Sequence, residues 1–272
     1  MNKIKFIKTL SLLILISFQY AQAQQTRTEK DLLGEKQIPA NAYYGVQTAR
    51  ALENFQVSGI KTYTYPDYVK AYAIVKLAAA RANAEDGRLK KEKLDAIEKA
   101  CKAVMDGKYH DQFLTDMYQG GAGTSANIYA NEVLANIALE LSGHKKGEYQ
   151  FIEPHDDLNM GQSTNDVYPT AIKVALLLHN DKLITEPTAL SQAFHKKGEE
   201  FKSILKMGRT EGQDAVAMTV GQEFHAFGNQ LDAEIAALRK AESFLCEQNM
   251  GATAIGTGIT ASPGYAEKCA ED

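Results

Sequence analysis

Residues 219–246, TVGQEFHAFGNQLDAEIAALRKAESFLC, decide the fold class. Phe224, Phe227, Leu231, Ile235 and Leu238 recur every three or four positions, the period of one apolar helical stripe. The spacing predicts a single helix from Thr219 to Cys246, roughly 40 Å long at 1.5 Å per residue. Helices of that length pack in bundles.

Upstream the same period continues. Leu190, Phe194, Phe201 and Leu205 share one face of a predicted helix. Val167, Ile172, Val174, Ala175 and Leu178 mark another over Asp166–Asn180. Asp67 is a candidate cap for a helix that reaches about Ala84 and stops at Gly87. Leu94, Ile97, Cys101 and Val104 give a further segment that Gly107 ends. Thr124 or Ser125 caps one carrying Val133, Leu134 and Leu141, which ends near Gly143. Residues 24–60 read as an irregular polar arm. No strand–helix alternation and no internal repeat is present, so the expected class is mainly α.

Length and charge narrow the function. A chain of 272 residues with a net charge of −4 and interspersed signs offers no basic surface for nucleic acid and no polybasic membrane patch. The 3 cysteines, Cys101, Cys246 and Cys269, lie far apart, with neither metal-ligand spacing nor a disulfide framework. Lys3, Lys5 and Lys8, the apolar run Thr9–Phe18 and the small-x-small site Ala21-Gln22-Ala23 follow the order of a secretory signal peptide. The run is about half the ~20 residues a spanning helix needs. Residues 1–23 are therefore expected to be cleaved after Ala23, giving an exported, periplasmic protein with no membrane segment afterwards.

Four loops, 119–127, 153–165, 207–214 and 249–263, are richer in Gly, Ser, Thr and Asn than turns require, and loops on rigid helices carry function. Gly120–Asn127 opens a helix with small residues, which suits an anion as well as an ordinary cap. Ser163-Thr164-Asn165 supplies three successive donors at another helix entrance, more than capping needs. Lys206–Ala215 reads as a polar interhelical loop. Gly256-x-Gly258 follows a helix and lacks the third glycine, so no dinucleotide site is expected. His155, beside Asp156 and Asp157, has no second His or Cys nearby and reads as a surface or structural histidine. These residues suit small carboxylates and by themselves specify no reaction.

Taken together and in order, the loops resemble the fumarase/aspartase superfamily. Arg27–Gly34 and Ala42–Thr48 are similar to its N-terminal arm. Gly121-Ala122-Gly123-Thr124-Ser125, Ala49–Phe55 and Asn249–Gly256 resemble its aspartase branch, and the class II fumarate hydratases are the alternative. The resemblance implies an N-terminal domain over residues 24–160 and, from residue 161 to 272, the incomplete start of a central helical bundle. It implies a homotetramer whose active sites combine loops from different subunits, and no cofactor or metal. The implied reaction is reversible anti elimination of ammonia from L-aspartate to give fumarate. Thr124, Ser163, Thr164 and Asn165 would bind substrate, with Thr210 and Glu211 as the catalytic candidates. The chain departs from the family at Glu153-Pro154-His155-Asp156 and at Glu211. The family's base-serine loop falls beyond Asp272, so residues 1–272 alone are expected to be inactive. A non-catalytic helical scaffold or carboxylate-binding remnant is the reading from another class.

Overall fold

The computed structural model describes residues 25–271. The signal-peptide reading of residues 1–23 lies outside the described residues. The architecture is mainly α, as the apolar periods require.

The expected irregular arm is ordered. Strands β1 (Thr26–Asp31) and β2 (Gly34–Pro39) pair antiparallel, Thr26 opposite Pro39 and Asp31 opposite Gly34. Apart from Ile38 and Pro39 their residues are polar or glycine, so no period-two apolar signal betrays them; Glu29 and Ile38 alone are buried. The Asp31 carboxylate accepts from Leu33 N at 2.9 Å inside the turn. Arg50 clasps the same carboxylate through two nitrogens, each at 2.9 Å, which ties the hairpin to α1 (Val46–Asn54).

Helix α2 (Pro66–Glu85) is the central element. Pro66 sits at its start, where a missing N–H costs nothing. Its N-cap is Tyr65; Asp67 lies in the first turn and takes Lys182 and His179 instead of capping. Ala71, Ala73, Ala78, Ala79, Ala80 and Ala82 are all buried, and small side chains let neighbouring helices come close. Around α2 pack α3 (Lys91–Met105), α4 (Thr124–Leu141), the first half of α5 (Thr164–Glu200) and the short α7 (Tyr265–Glu271). Tyr72, Ile97, Phe113, Tyr129, Leu134, Ile137 and Leu158 fill the core, joined by Met250, Tyr265 and Cys269 from the far end of the chain.

Two helices expected between Asp166 and Leu205 are one. Helix α5 runs 37 residues, through Pro169 and Pro187, and spans about 55 Å. Thr170 and Thr188 hydroxyls donate to the Asp166 and Ile184 carbonyls at 2.7 Å beside the two prolines. Leu205 belongs to no helix: β3 (Leu205–Thr210) and β4 (Gln213–Thr219) form a hairpin where a polar loop was expected. Its two-residue turn, Glu211-Gly212, has φ of 53° and 76°, the positive pair that a hairpin's twist demands. Helix α6 (Val220–Leu245) follows, matching the expected 219–246 within a residue at each end, and a reciprocal Thr219–Gln222 capping box starts it. It returns antiparallel along α5, Gly198 facing His225 and Asp181 facing Arg239. Among the described residues no helix is long and apolar enough to cross a membrane.

Candidate active site

The starts of α4 and α5 lie together, and three of the four polar loops meet there. The first loop enters α4 through a tight turn, Gly121–Gly123. Gly123 has φ +95°, and a Cβ on it would stand 2.2 Å from the Tyr168 ring of α5. No other residue fits that contact, so the glycine sets how closely the two helix starts approach. Thr124, exposed, donates to the Gly121 carbonyl at 2.6 Å.

The second loop enters α5. Ser163 caps it: Asn165 N donates to Ser163 Oγ at 3.2 Å, and Ser163 N donates to Asp166 Oδ2 at 2.6 Å. Thr164 Oγ1 accepts from Asn127 Nδ2 of α4 at 3.2 Å. The third loop closes over both. Thr253 N donates to Asp166 Oδ1 at 2.6 Å, and the Asn165 amide donates to the Ala254 carbonyl. Asp166 is thus the knot between loops 161–166 and 249–258. Its burial pushes the carboxyl above its usual range, while the backbone N–H groups of Ser163, Thr253 and Ala252 oppose that.

A buried polar layer supports this surface. Lys76, fully enclosed in α2, donates to Gln162 Oε1 at 2.8 Å and Asn159 Oδ1 at 3.1 Å. The same Asn159 oxygen accepts from Asn127 at 3.0 Å and Asn131 at 3.3 Å. Burial holds the Lys76 ammonium well below its ordinary range and pushes the neighbouring Cys101 thiol up to about 12. Sequence reading missed Lys76. Its signal was available: one cation inside the apolar run Ala71–Ala80.

Thr124, Ser163, Thr164 and Asn165 therefore share one surface, at the positive ends of two helices, where a carboxylate is favoured. Thr210 and Glu211 do not join them. They occupy the tip of the β3–β4 hairpin, at the other end of α5. Arg209 pairs with Asp214 at 2.9 Å.

The Ala42–Thr48 arm has a structural duty. Buried Glu132 accepts from Gly45 N, Gln47 N and Thr48 N at 2.8–3.0 Å, filling the anion position at the start of α1 from within. Glu29 accepts from Val46 N at 2.9 Å. Gly45 is required because a Cβ would lie 2.6 Å from the Glu29 carboxylate. His155 is exposed and meets Asp156 at 3.0 Å. With Glu153 these form the one group among the described residues whose three potential metal-ligand atoms lie within 4.8 Å of one another.

A family model described as Lyase matches residues 34–272. The chain belongs to this lyase family. It is 55% identical over 247 residues to the aspartate ammonia-lyase of Pseudomonas aeruginosa, covering 90% of this chain and 52% of that protein. The aspartate ammonia-lyase of Escherichia coli K12 is 50% identical over 240 residues, 88% of this chain and 50% of that protein. Among solved structures, a fumarate lyase:delta crystallin from Brucella melitensis, bound to cobalt, superposes with a TM-score of 0.88 at 50% identity, covering 90% of this chain and 53% of that one. A class II fumarase from Schistosoma mansoni gives 0.85 at 35% identity, covering 90% and 51%. The chain spans about half the length of the relatives it matches.

Proposed function

We propose that the protein is a carbon–nitrogen lyase that releases ammonia from L-aspartate to give fumarate. The observation that carries this reading is the convergence of loops 120–127, 161–166 and 249–258 on the paired starts of α4 and α5. In the elimination a base removes a proton from the carbon beside one carboxylate, and that carboxylate becomes a doubly charged aci-carboxylate before ammonia leaves the neighbouring carbon. Fixed neutral donors stabilise such charge without holding the substrate too tightly. Thr124, Ser163, Thr164 and Asn165 supply that kind of donor. They stabilise the product of proton abstraction and are not themselves bases. Glu211 is assigned to the substrate ammonium, since a carboxylate near an incoming dicarboxylate repels it unless a positive group lies between.

The distance along α5 supports a shared site. Its 37 residues, about 55 Å, separate the Ser163–Asn165 group from the helix end that leads into the hairpin. We assign Thr210 and Glu211 to the site of a neighbouring copy in a homotetramer. Export with cleavage after Ala23 and a periplasmic location complete the proposal, resting on the charged start, the short apolar run and the Ala21-x-Ala23 site. The test is fumarate formation, followed by its absorbance, from L-aspartate and from malate, using the full-length protein. Ammonia release supports the proposal. Turnover of malate alone moves the protein to the hydratase branch, and neither activity supports the scaffold.

A further inference from the structure

Helices α5 and α6 carry the same four-residue pattern, His195-Lys196-Lys197-Gly198 and His225-Ala226-Phe227-Gly228. A spacing of three puts each histidine and its glycine on one helix face. In the antiparallel pair the two patterns interlock. A Cβ on Gly198 would lie 2.6 Å from the His225 ring, and one on Gly228 would lie 2.7 Å from the His195 ring. Each helix thus gives up a side chain to admit the other's imidazole, although glycine inside a helix costs about 1 kcal/mol relative to alanine.

The rings meet edge to edge. His195 Nδ1 and His225 Nδ1 are 3.1 Å apart while the ring centroids are 5.4 Å apart, so the nitrogens face each other along the line between the rings. On the outer sides, His195 Nε2 lies 2.9 Å from Asp232 Oδ2, and His225 Nε2 lies 3.2 Å from Glu199 Oε1. Carboxylates only accept, so both Nε2 atoms carry hydrogen. The inner contact needs one hydrogen between two nitrogens. When both outer contacts and the inner one are all hydrogen-bonded, three hydrogens occupy the four ring nitrogens, one more than two neutral rings carry.

We propose that His195 and His225 form a proton-sharing clamp that fastens α5 to α6 when the pair holds that single extra proton, and that makes the helix pair and its β3–β4 hairpin responsive to pH. A second proton sets two N–H groups against each other at the inner contact. Losing the shared proton leaves two lone pairs facing, or takes the donor from one carboxylate. The clamp lies close to the hairpin's base, where Val220 N bonds Ile204 O at 2.8 Å and Gly221 N bonds Phe201 O at 3.1 Å.

The surrounding charges keep both carboxylates ready. From α5, the Ser191 hydroxyl donates to Asp232, and Lys202, just past the helix end, reaches Glu199 at 3.4 Å. Ser191 and then His195 hold Asp232 below the usual carboxylate range, and Lys202, with His225, does the same for Glu199. Lys197 is engaged with Glu200, and Glu223 of α6 with Lys206 of β3.

The sign of the pH dependence follows from proton counts. On the acid side, two unfolded rings bind two protons and the closed clamp one, so stability falls as pH falls through the ordinary histidine range near 6.5. On the alkaline side the clamp keeps one proton and the unfolded rings none, so stability falls as pH rises beyond that range. The two side chains are 34% and 33% exposed, so water screens the effect. An expected change of roughly 3- to 10-fold in the folding constant on each side allows for that screening.

The experiment is nitrogen-15 NMR of the full chain labelled at histidine, with urea unfolding across the same pH series. The expected result is one low-field hydrogen coupled to both rings, a titration in two linked steps, and a stability maximum that H195Q/H225Q lacks. Independent single-step titrations would overturn the clamp. So would a wild-type stability profile parallel to that of the double variant, or capture of both inner nitrogens by equimolar Zn²⁺. If the variants fail to fold, the wild-type titration decides alone.

Discussion

The Asn165 side chain stands exposed on the first turn of α5 while its amide donates to the Ala254 carbonyl. Asn165→Ala therefore loses one exposed structural bond, worth about 0.5–1.5 kcal/mol, and keeps the fold. If the residue also faces a developing charge, turnover falls about 100-fold or more. Fumarate release by a variant with a wild-type circular dichroism spectrum checks this; near-normal turnover removes Asn165 from the site. Lys76 behaves differently. Its depressed range means the unfolded chain binds more protons than the folded chain from that lowered value up to the ordinary lysine value near 10.4. Stability from this group therefore rises with pH across that window. Lys76→Met should lose that rise, and should leave Gln162 Oε1 without its lysine donor at a cost of about 1–3 kcal/mol. Urea midpoints of both proteins at neutral pH and near pH 9.5 test the sign. The donor run Ser163-Thr164-Asn165 was legible because capping could not use all of it. Lys76 showed only as a lone cation in an apolar run, since its partners Asn159 and Gln162 lie in a distant loop, and the histidine clamp was hidden because its halves sit on two helices.

Among elements, the long helices were readable and the hairpins were not. α6 carries one apolar stripe in its sequence, and its ends are marked by Thr219 and Cys246. β1 and β2 are polar apart from Ile38 and Pro39, and β3 and β4 leave most of their side chains exposed, so the buried apolar alternation that announces a strand is absent. The merging of two expected helices into α5 has a similar origin, since Pro187 normally reads as a stop, yet packing against α6 carries the helix past it. The join between α4 and α5 rests on Gly123. Gly123→Ala combines a left-handed backbone, roughly 1–2 kcal/mol for an L-residue, with a collision against Tyr168. The expected outcome is a loss of about 3 kcal/mol or more, of which Tyr168→Ala in the same chain recovers the collision and not the backbone strain. Chemical denaturation of the single and double variants measures the split. Equal stability of Gly123→Ala and wild type would mean the two helix starts are not held at this distance.

At the scale of the whole molecule, the length of α5 divides the candidate site residues into two groups. Thr124, Ser163, Thr164 and Asn165 sit at one end, and Thr210 and Glu211 sit past the other. Leu176, Leu183, Leu190, Phe227 and Phe244 stay exposed along α5 and α6, an apolar surface of the kind that the proposed oligomer needs. If a site combines the first group of one copy with the hairpin of another, two inactive proteins can repair each other. Asn165→Ala and Thr210→Ala should each be nearly silent alone. Unfolded together and refolded, a mixture of equal parts builds a fully native site when one copy supplies Asn165 and another supplies Thr210. Each condition holds for half of the copies, so about a quarter of wild-type activity should return in a symmetric oligomer assembled at random. If both groups served the same copy's site, no pairing of these variants would contain a complete site, and the mixture would stay as silent as its parts. Mixing the folded proteins without refolding is the control, since stable oligomers that do not exchange copies should gain nothing.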